Sequence, residues 1–280
     1  VSTHLDHRTG LGPWKGQVFL AVGRALYLGP AGDTTPHAHH AVQMSIALET
    51  PLRLRHHGEE WREYDGVIVP ADVPHQLDGG RGDLALFYIE PESTEGRSSR
   101  DTSSQPVRSI SVGTISAVRA AVRRVANHPR NQTSLSRVFA ELMESVGLPP
   151  QLVESTDLRI EQAVRRLRTT PRSRTSIPDL ARSVGLSPRR FRHLFRREIG
   201  MSAQSYIVWL RCYEACAALA QGASISDAAL HAGFSDAAHF SRTFRRTFGL
   251  APSQLADRLT LIEAPVGLGN RAEAQTRFSV

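Results

Sequence analysis

Ser176-Ile-Pro-Asp-Leu-Ala-Arg-Ser-Val-Gly185-Leu-Ser187-Pro-Arg-Arg-Phe191 and Ser224-Ile-Ser-Asp-Ala-Ala-Leu-His-Ala-Gly233-Phe-Ser-Asp236-Ala-Ala-His-Phe240 are two copies of one pattern. Each opens with a Ser placed to cap a short helix, and each stops that helix at a Gly, where a left-handed backbone is needed. The chain then restarts behind a second cap: Ser187 followed by Pro188 in the first copy, Asp236 in the second. In the restarted helices, Phe191, Leu194 and Phe195 recur at helical spacing, as do Phe240 and Phe244. Burying them turns Arg189, Arg192, His193 and Arg196 to the open face of one helix, and Ala238, Ser241, Arg242 and Arg245 to that of the other.

Between the copies, Ser202 to Gln221 carries apolar Ile207, Leu210, Ala217 and Leu219 and reads as a single helix. At 1.5 Å per residue it would be about 30 Å long, close to the roughly 34 Å between major-groove openings on one face of duplex DNA. One chain could therefore place two helices in adjacent turns. Arg189, Arg192 and His193, near the start of the first such helix, are the candidates for base edges, with His239 and Arg242 in the second. Arg196, Arg197, Arg245 and Arg246 lie further along and suit phosphates.

Charge follows the same division. Residues 157–258 hold 17 arginines against 8 acidic residues, a net charge of +9, whereas residues 1–150 hold 15 basic and 16 acidic groups. A basic excess confined to the half with the repeats is what phosphate neutralisation requires, and Arg also grips guanine through two bonds.

Residues from about 157 to 258 resemble the DNA-binding domain of the AraC/XylS family of transcription factors. The most specific stretch is Gly233-Phe-Ser-Asp236-Ala-Ala-His239-Phe240-Ser-Arg242-Thr-Phe244-Arg-Arg-Thr-Phe-Gly249, followed by Ala251 and Pro252. Ala228 and Ala238 are small departures, the first in place of a larger aliphatic residue and the second in place of a polar one. The resemblance implies promoter binding by two helix-turn-helix units, 176–197 and 224–246, joined by a linker helix. It also implies activation of transcription, with RNA polymerase as a partner.

The first 95 residues read differently. Gln17 to Ala21, Arg24 to Gly29, Ala41 to Glu49, Pro51 to His57, Gly66 to Val69 and Leu84 to Glu90 are short β-rich runs punctuated by Gly, Pro and Asp, which predicts a small antiparallel barrel or sandwich. Within it, His37-Ala-His39-His40-Ala-Val-Gln43 and Gly66-Val-Ile-Val-Pro70-Ala-Asp-Val-Pro74-His75 resemble the two cupin motifs in degenerate form. Sensor domains of AraC-type regulators have that fold, so the resemblance implies a small-molecule effector. His37, His39, Gln43 and His75 are its candidate polar contacts, with Trp61 and Tyr64 as apolar surfaces.

The same histidines raise a second chemistry. His37 and His39, two apart, project to one side, and His75 could complete a three-imidazole set for a divalent metal. Cupin enzymes commonly place a Glu where this chain has Gln43, a weaker and uncharged ligand. The expectation is therefore a protein that is not an enzyme and needs no cofactor. The alternative is a metal-dependent cupin enzyme or metal sensor fused to a DNA-binding domain.

After a loop rich in Ser, Thr, Arg and Pro, the segment 96–150 carries two apolar-periodic helices. One runs from Ile115 to Asn127 and the other from Ser134 to Val146, and either a homodimer contact or packing on their own barrel would bury them. Pro149-Pro150 breaks the pattern, so residues 151–156 read as a linker and residues 259–280 as a tail without clear period. A length of 280 residues with 40% hydrophobic content suits about two domains. No apolar run approaches the roughly 20 residues that span a bilayer and no signal-peptide pattern opens the chain, so the cytoplasm is expected. Cys212 and Cys216, four apart on the linker helix, suit core packing better than a disulfide. The reading is a two-domain α+β chain, with an antiparallel cupin-like barrel and helices followed by an all-α domain of two helix-turn-helix units.

Overall fold

The computed structural model describes residues 14–21, 23–79, 82–93, 107–127, 157–169 and 176–261, with single residues at 96, 137 and 144. Its N-terminal part is β-rich: β1 (Gln17–Ala21), β2 (Arg24–Pro30), β3 (Val42–Ala47), β4 (Leu52–His56), β5 (Arg62–Tyr64), β6 (Gly66–Val69), β7 (His75–Asp78), β8 (Asp83–Ile89) and β9 (Arg108–Ser109), followed by helix α1 (Val112–Asn127). Among the described residues these strands form two hydrogen-bonded sheets, the sandwich side of the expectation, and no closed barrel. One sheet has the order β1-β2-β8-β3-β6-β9, with strand β10 (Leu259–Leu261) along its β1 edge, and the other β5-β4-β7. The chain leaves the large sheet at Ala47 and bends through Pro51, which has no N–H to offer a ladder, so β4 enters the second sheet.

Strand alternation explains the layering. In β8, Leu84 and Leu86 face the small sheet, packing with Leu52, Leu54 and Leu77. Ala85, Phe87 and Ile89 take the other face with Met44 and Ile46, where Ile115, Val118, Ala121 and Val122 of α1 cover them. Met44, Ile46 and Phe87 are fully buried, and each such side chain stabilises the fold by roughly 1.5–3 kcal/mol relative to exposure. Helix α1 therefore spends its apolar stripe on its own sheet. The second expected helix, Ser134 to Val146, lies outside the described residues apart from isolated positions, as does the linker 151–156.

The C-terminal part is helical: α2 (Leu158–Thr169), α3 (Ile177–Ser183), α4 (Pro188–Ile199), α5 (Ala203–Ala220), α6 (Ile225–His231) and α7 (Ala237–Phe248), then two short 3-10 turns and strand β10 (Leu259–Leu261). Helix α5 serves both copies of the repeat. Its first half, with Tyr206, Ile207 and Leu210, packs with α2, α3 and α4. Its second half, with Cys212, Cys216 and Leu219, packs with Phe240, Phe244 and Leu250, and the same cluster includes Trp14, Leu20 and Tyr27 of the β-rich part. Burial pushes the Cys216 thiol up to about 12 and that of Cys212 up as well, so both are packed, unreactive thiols.

One finding runs against the reading of residues after 258 as a structureless tail. Leu259–Leu261 pairs in parallel with β1, in the register Val18 to Leu259 and Leu20 to Leu261. A three-residue strand carries too short a pattern to register as periodicity, and it forms because the edge of β1 offers unpaired backbone groups. The second helical unit is thereby hydrogen-bonded into the sheet of the first domain.

Candidate nucleic-acid interface and ligand sites

The two helix pairs are built alike. Gly185 and Gly233 adopt positive φ of 71° and 81° at the end of the first helix of each pair, a conformation that costs most side chains 1–2 kcal/mol. The second helices are capped as expected, with Ser187 accepting from the Arg190 N–H at 3.3 Å and Asp236 from the His239 N–H at 2.6 Å. Ser224 caps α6 through the Asp227 N–H at 3.1 Å. Ser176 occupies the cap position of α3, but its side chain makes no cap hydrogen bond.

Phe191, Leu194, Phe195, Phe240 and Phe244 are buried. Arg189, Arg192, His193, Arg196, Arg242 and Arg245 are exposed, as the helical period requires. His239 is only half exposed: its Nδ1 pairs with Ser235 Oγ at 3.0 Å and its ring stands edge-on to Phe234 at 5.3 Å. That contact fixes the ring at the helix entrance. Arg196 and Arg246, near the ends of α4 and α7, also line a cleft of about 870 Å³ facing the β-rich domain.

His37 and His39 line the opposite wall of that cleft, and His75 lies beside them. His37 and His75 exchange backbone hydrogen bonds at 3.0 and 2.9 Å, which puts their rings on one face with centroids 4.3 Å apart. The His39 ring lies 5.5 and 5.0 Å from those two. Gln43 joins them from β3 through Oε1, 2.9 Å from His39 Nε2. Burial, aided by the neighbouring His39, pushes His37 down to about 3 and likewise lowers His39 and His75, so the three rings are neutral.

Trp61 and Tyr64 do not join this cluster. Along β4, Leu52, Leu54 and His56 point inward while Arg53 and Arg55 point outward, and both outward guanidinium groups stack on Trp61, at 5.3 and 4.9 Å from its ring centre. The Trp61 ring thus sits on the outer face, and Tyr64, paired with Leu52, packs against the apolar core.

Sequence reasoning missed the junction between the domains. Glu90 accepts from Trp209 Nε1 at 2.9 Å and pairs with Arg168 of α2, which also reaches Glu92 at 3.8 Å. Arg168 Nε donates to the Tyr206 hydroxyl at 3.2 Å. His40 Nε2 meets Glu92 at 3.0 Å and its Nδ1 lies 3.5 Å from Asp72. Burial alone would lower the pKa of His40, but its bonds to Asp72 and Glu92 outweigh it and hold the ring at about 9, a cation at neutral pH. The only signals in sequence were two acidic residues, Glu90 and Glu92, beside a loop, which is where solvated carboxylates ordinarily sit. Beside this junction lies an apolar gap of about 90 Å³ lined by Leu20, Tyr88, Trp209, Phe244 and Phe248.

A family profile described as a helix-turn-helix domain matches residues 180–258, the span of both helix pairs. The transcriptional activator RhrA of Rhizobium meliloti is 25% identical over 230 residues, 75% of this chain and 71% of RhrA. The profile match covers the C-terminal helical part and leaves the β-rich part unmatched. The virulence regulon transcriptional activator VirF of Yersinia enterocolitica is 40% identical, over 29% of this chain and 30% of VirF. An apo structure of ToxT from Vibrio cholerae shares the two-domain fold, with a TM-score of 0.58 at 13% identity over 85% of this chain and 98% of ToxT. ToxT with an unsaturated fatty acid bound aligns with a TM-score of 0.55, over 86% of this chain and 97% of ToxT. Among the described residues, no helix is long and apolar enough to cross a membrane.

Proposed function

We propose that this chain is a sequence-specific DNA-binding transcriptional regulator, an activator, whose α3–α4 and α6–α7 pairs are helix-turn-helix units joined by α5. Helices α4 and α7 enter adjacent major grooves. The observation that carries this reading is the repeated display of arginines on two capped helices whose opposite faces are buried in separate cores. Arg189, Arg192 and His193 read bases in the first groove, and His239 and Arg242 in the second, while Arg196 and Arg245 neutralise phosphates.

The β-rich domain, cupin-like in its motifs, acts as the sensor. A cleft of about 870 Å³ between His37, His39 and Asp72 on one side and Arg196, Ser202, Ser205 and Arg246 on the other has the size of an effector site. The fatty acid carried by ToxT supports a small-molecule effector for this fold. An effector acts by its different affinity for two domain arrangements, which shifts their populations and so the DNA affinity. RNA polymerase is the downstream partner, and a second copy of the chain could share a promoter with the first. The histidine cluster also favours a metal-sensing version of the same reading.

The test is competition binding of a labelled duplex from upstream of the gene that encodes the chain, at two salt concentrations. Binding that resists an unlabelled scrambled duplex supports the reading. Equal, salt-sensitive competition by both duplexes would reduce the basic half to a phosphate grip.

A further inference from the structure

We infer that His239 reads an amino base, adenine or cytosine, through the lone pair of its Nε2, and that Ser235 fixes the ring in the tautomer that does so, a specificity that rests on the DNA binding proposed above. Three side chains at the entrance of α7 form a directed hydrogen-bond chain. Asp236 caps the helix through the His239 N–H at 2.6 Å, and its carboxylate also accepts from the Ser235 hydroxyl at 3.0 Å. Those two bonds hold the Asp236 carboxyl below its usual range, so it is ionised and only accepts. The single hydroxyl proton of Ser235 goes to Asp236, because a charged acceptor outcompetes a neutral imidazole nitrogen. Ser235 Oγ is left as an acceptor, 3.0 Å from His239 Nδ1. In the neutral ring the proton therefore sits on Nδ1, and Nε2 carries the lone pair.

The ring is also held from behind. Buried Phe234 stands edge-on to it, with centroids 5.3 Å apart. His239 is half exposed, and its Nε2 has no hydrogen-bond partner among the described residues. The first repeat lacks this device. Its matching position, the third after the cap, is Arg190, a donor only. His193 of α4 is exposed with no side-chain partner among the described residues, so it can present either tautomer.

A fixed acceptor selects its base. In the major groove adenine N6 and cytosine N4 donate, whereas guanine N7 and O6 and thymine O4 accept. The Nε2 lone pair bonds the first two and is repelled by the others. Phosphate oxygens only accept as well, so this tautomer suits a base edge and not the DNA backbone. Each base pair shows one amino and one keto base in the major groove, and His239 thus distinguishes which strand carries the amino base.

The test has two arms, both on the full chain. Long-range proton–nitrogen NMR in mildly alkaline buffer, where imidazole is neutral, should show His239 protonated at Nδ1, with a shift towards Nε2–H in Ser235→Ala. Anisotropy titrations use the duplex from upstream of the gene and its single base-pair substitutions. One position should prefer adenine or cytosine over guanine or thymine by about 2- to 10-fold, the size of one neutral hydrogen bond. His239→Ala should flatten that position alone, Ser235→Ala should weaken it, and Ser235→Thr, which keeps the hydroxyl, should retain it; circular dichroism checks the folding of each variant. A ring protonated at Nε2 overturns the inference, as does a His239-dependent position that favours guanine or thymine, or a Ser235→Ala chain with unchanged tautomer and preference. Positional preferences of which none depends on His239 overturn it and leave the DNA reading standing. An Nδ1–H ring in a chain with no positional preference at all breaks the DNA reading and the inference with it.

Discussion

Gly200 and Gly249 close the second helices of the two repeats with the same left-handed cap, φ 92° and 74°, and meet opposite surroundings. A Cβ at Gly200 would find no atom within 4 Å, whereas one at Gly249 would stand 2.6 Å from His37 Nδ1 and 2.7 Å from both Thr34 Cβ and Thr35 O. Helix α7 is therefore pressed against the loop that carries His37, and β10 ties the same unit to β1. No atom would meet a Cβ at the end of α4, and its unit meets the β-rich domain through the buried charges around Arg168 instead. The repeat duplicates the surface offered to DNA, while its two copies are restrained by different chemistry. The two helix pairs are thus tied to the β-rich part differently, α7 through backbone contacts and the unit of α4 through ion pairs.

The charged junction gives the largest expected effect. Arg168→Ala leaves Glu90 and Glu92 buried without their guanidinium partner, a change that costs about 3–5 kcal/mol. Thermal melting should show the loss, and Arg168→Ala combined with Glu90→Gln should recover part of it, because fewer unpaired charges remain. If the single variant melts like the unsubstituted chain, the first unit is not held by these ion pairs.

His40 sharpens the same comparison through pH. Its folded pKa of about 9 is raised, so its contribution is complete below the unfolded value of about 6.5 and fades as pH rises through 9. The full span corresponds to on the order of 3 kcal/mol at most. Melting temperature should fall between pH 7 and pH 9.5 in the unsubstituted chain and fall less in His40→Gln. Parallel curves for the two proteins would mean that this imidazolium does not tie Glu92 to Asp72.

The glycine pair separates backbone contact from intrinsic strain. Gly200→Ala meets only the left-handed penalty, about 1 kcal/mol. Gly249→Ala meets that penalty and must also displace backbone and the His37 ring, so about 2–3 kcal/mol is expected. Denaturant midpoints compare the two variants directly, and equal losses would show that α7 is free of the His37 loop.

How much of this was legible depended on the length of the pattern. Two capped helices with Phe at helical spacing announce themselves over some 20 residues, and Arg192 and Arg242 followed from the same period. The cluster of His37, His39, His75 and Gln43 was legible because it rests on two local motifs. Trp61 was misplaced because alternation fixes which residues share a face but not which face lies inside, and the outward Arg53 and Arg55 drew the ring out. The choice between barrel and sandwich could not be read, because it depends on β4 pairing with β5 and β7 and not with the large sheet. Neither β10 nor the Arg168 junction could be read, since each depends on contacts between residues far apart in the chain and on strands or ion pairs too short to leave a period.

The most direct test of two-helix recognition is fluorescence anisotropy of the full chain on its specific duplex and on a scrambled one, with Arg192→Ala and Arg242→Ala measured beside the unsubstituted protein. The expected result is a loss of about 1–3 kcal/mol, roughly 5- to 150-fold in affinity, for each variant on the specific duplex, with much smaller losses on the scrambled one. If either variant binds the specific duplex as tightly as the unsubstituted chain, or loses affinity equally on both duplexes, that helix does not read sequence and the pairing of two recognition helices in one chain is contradicted.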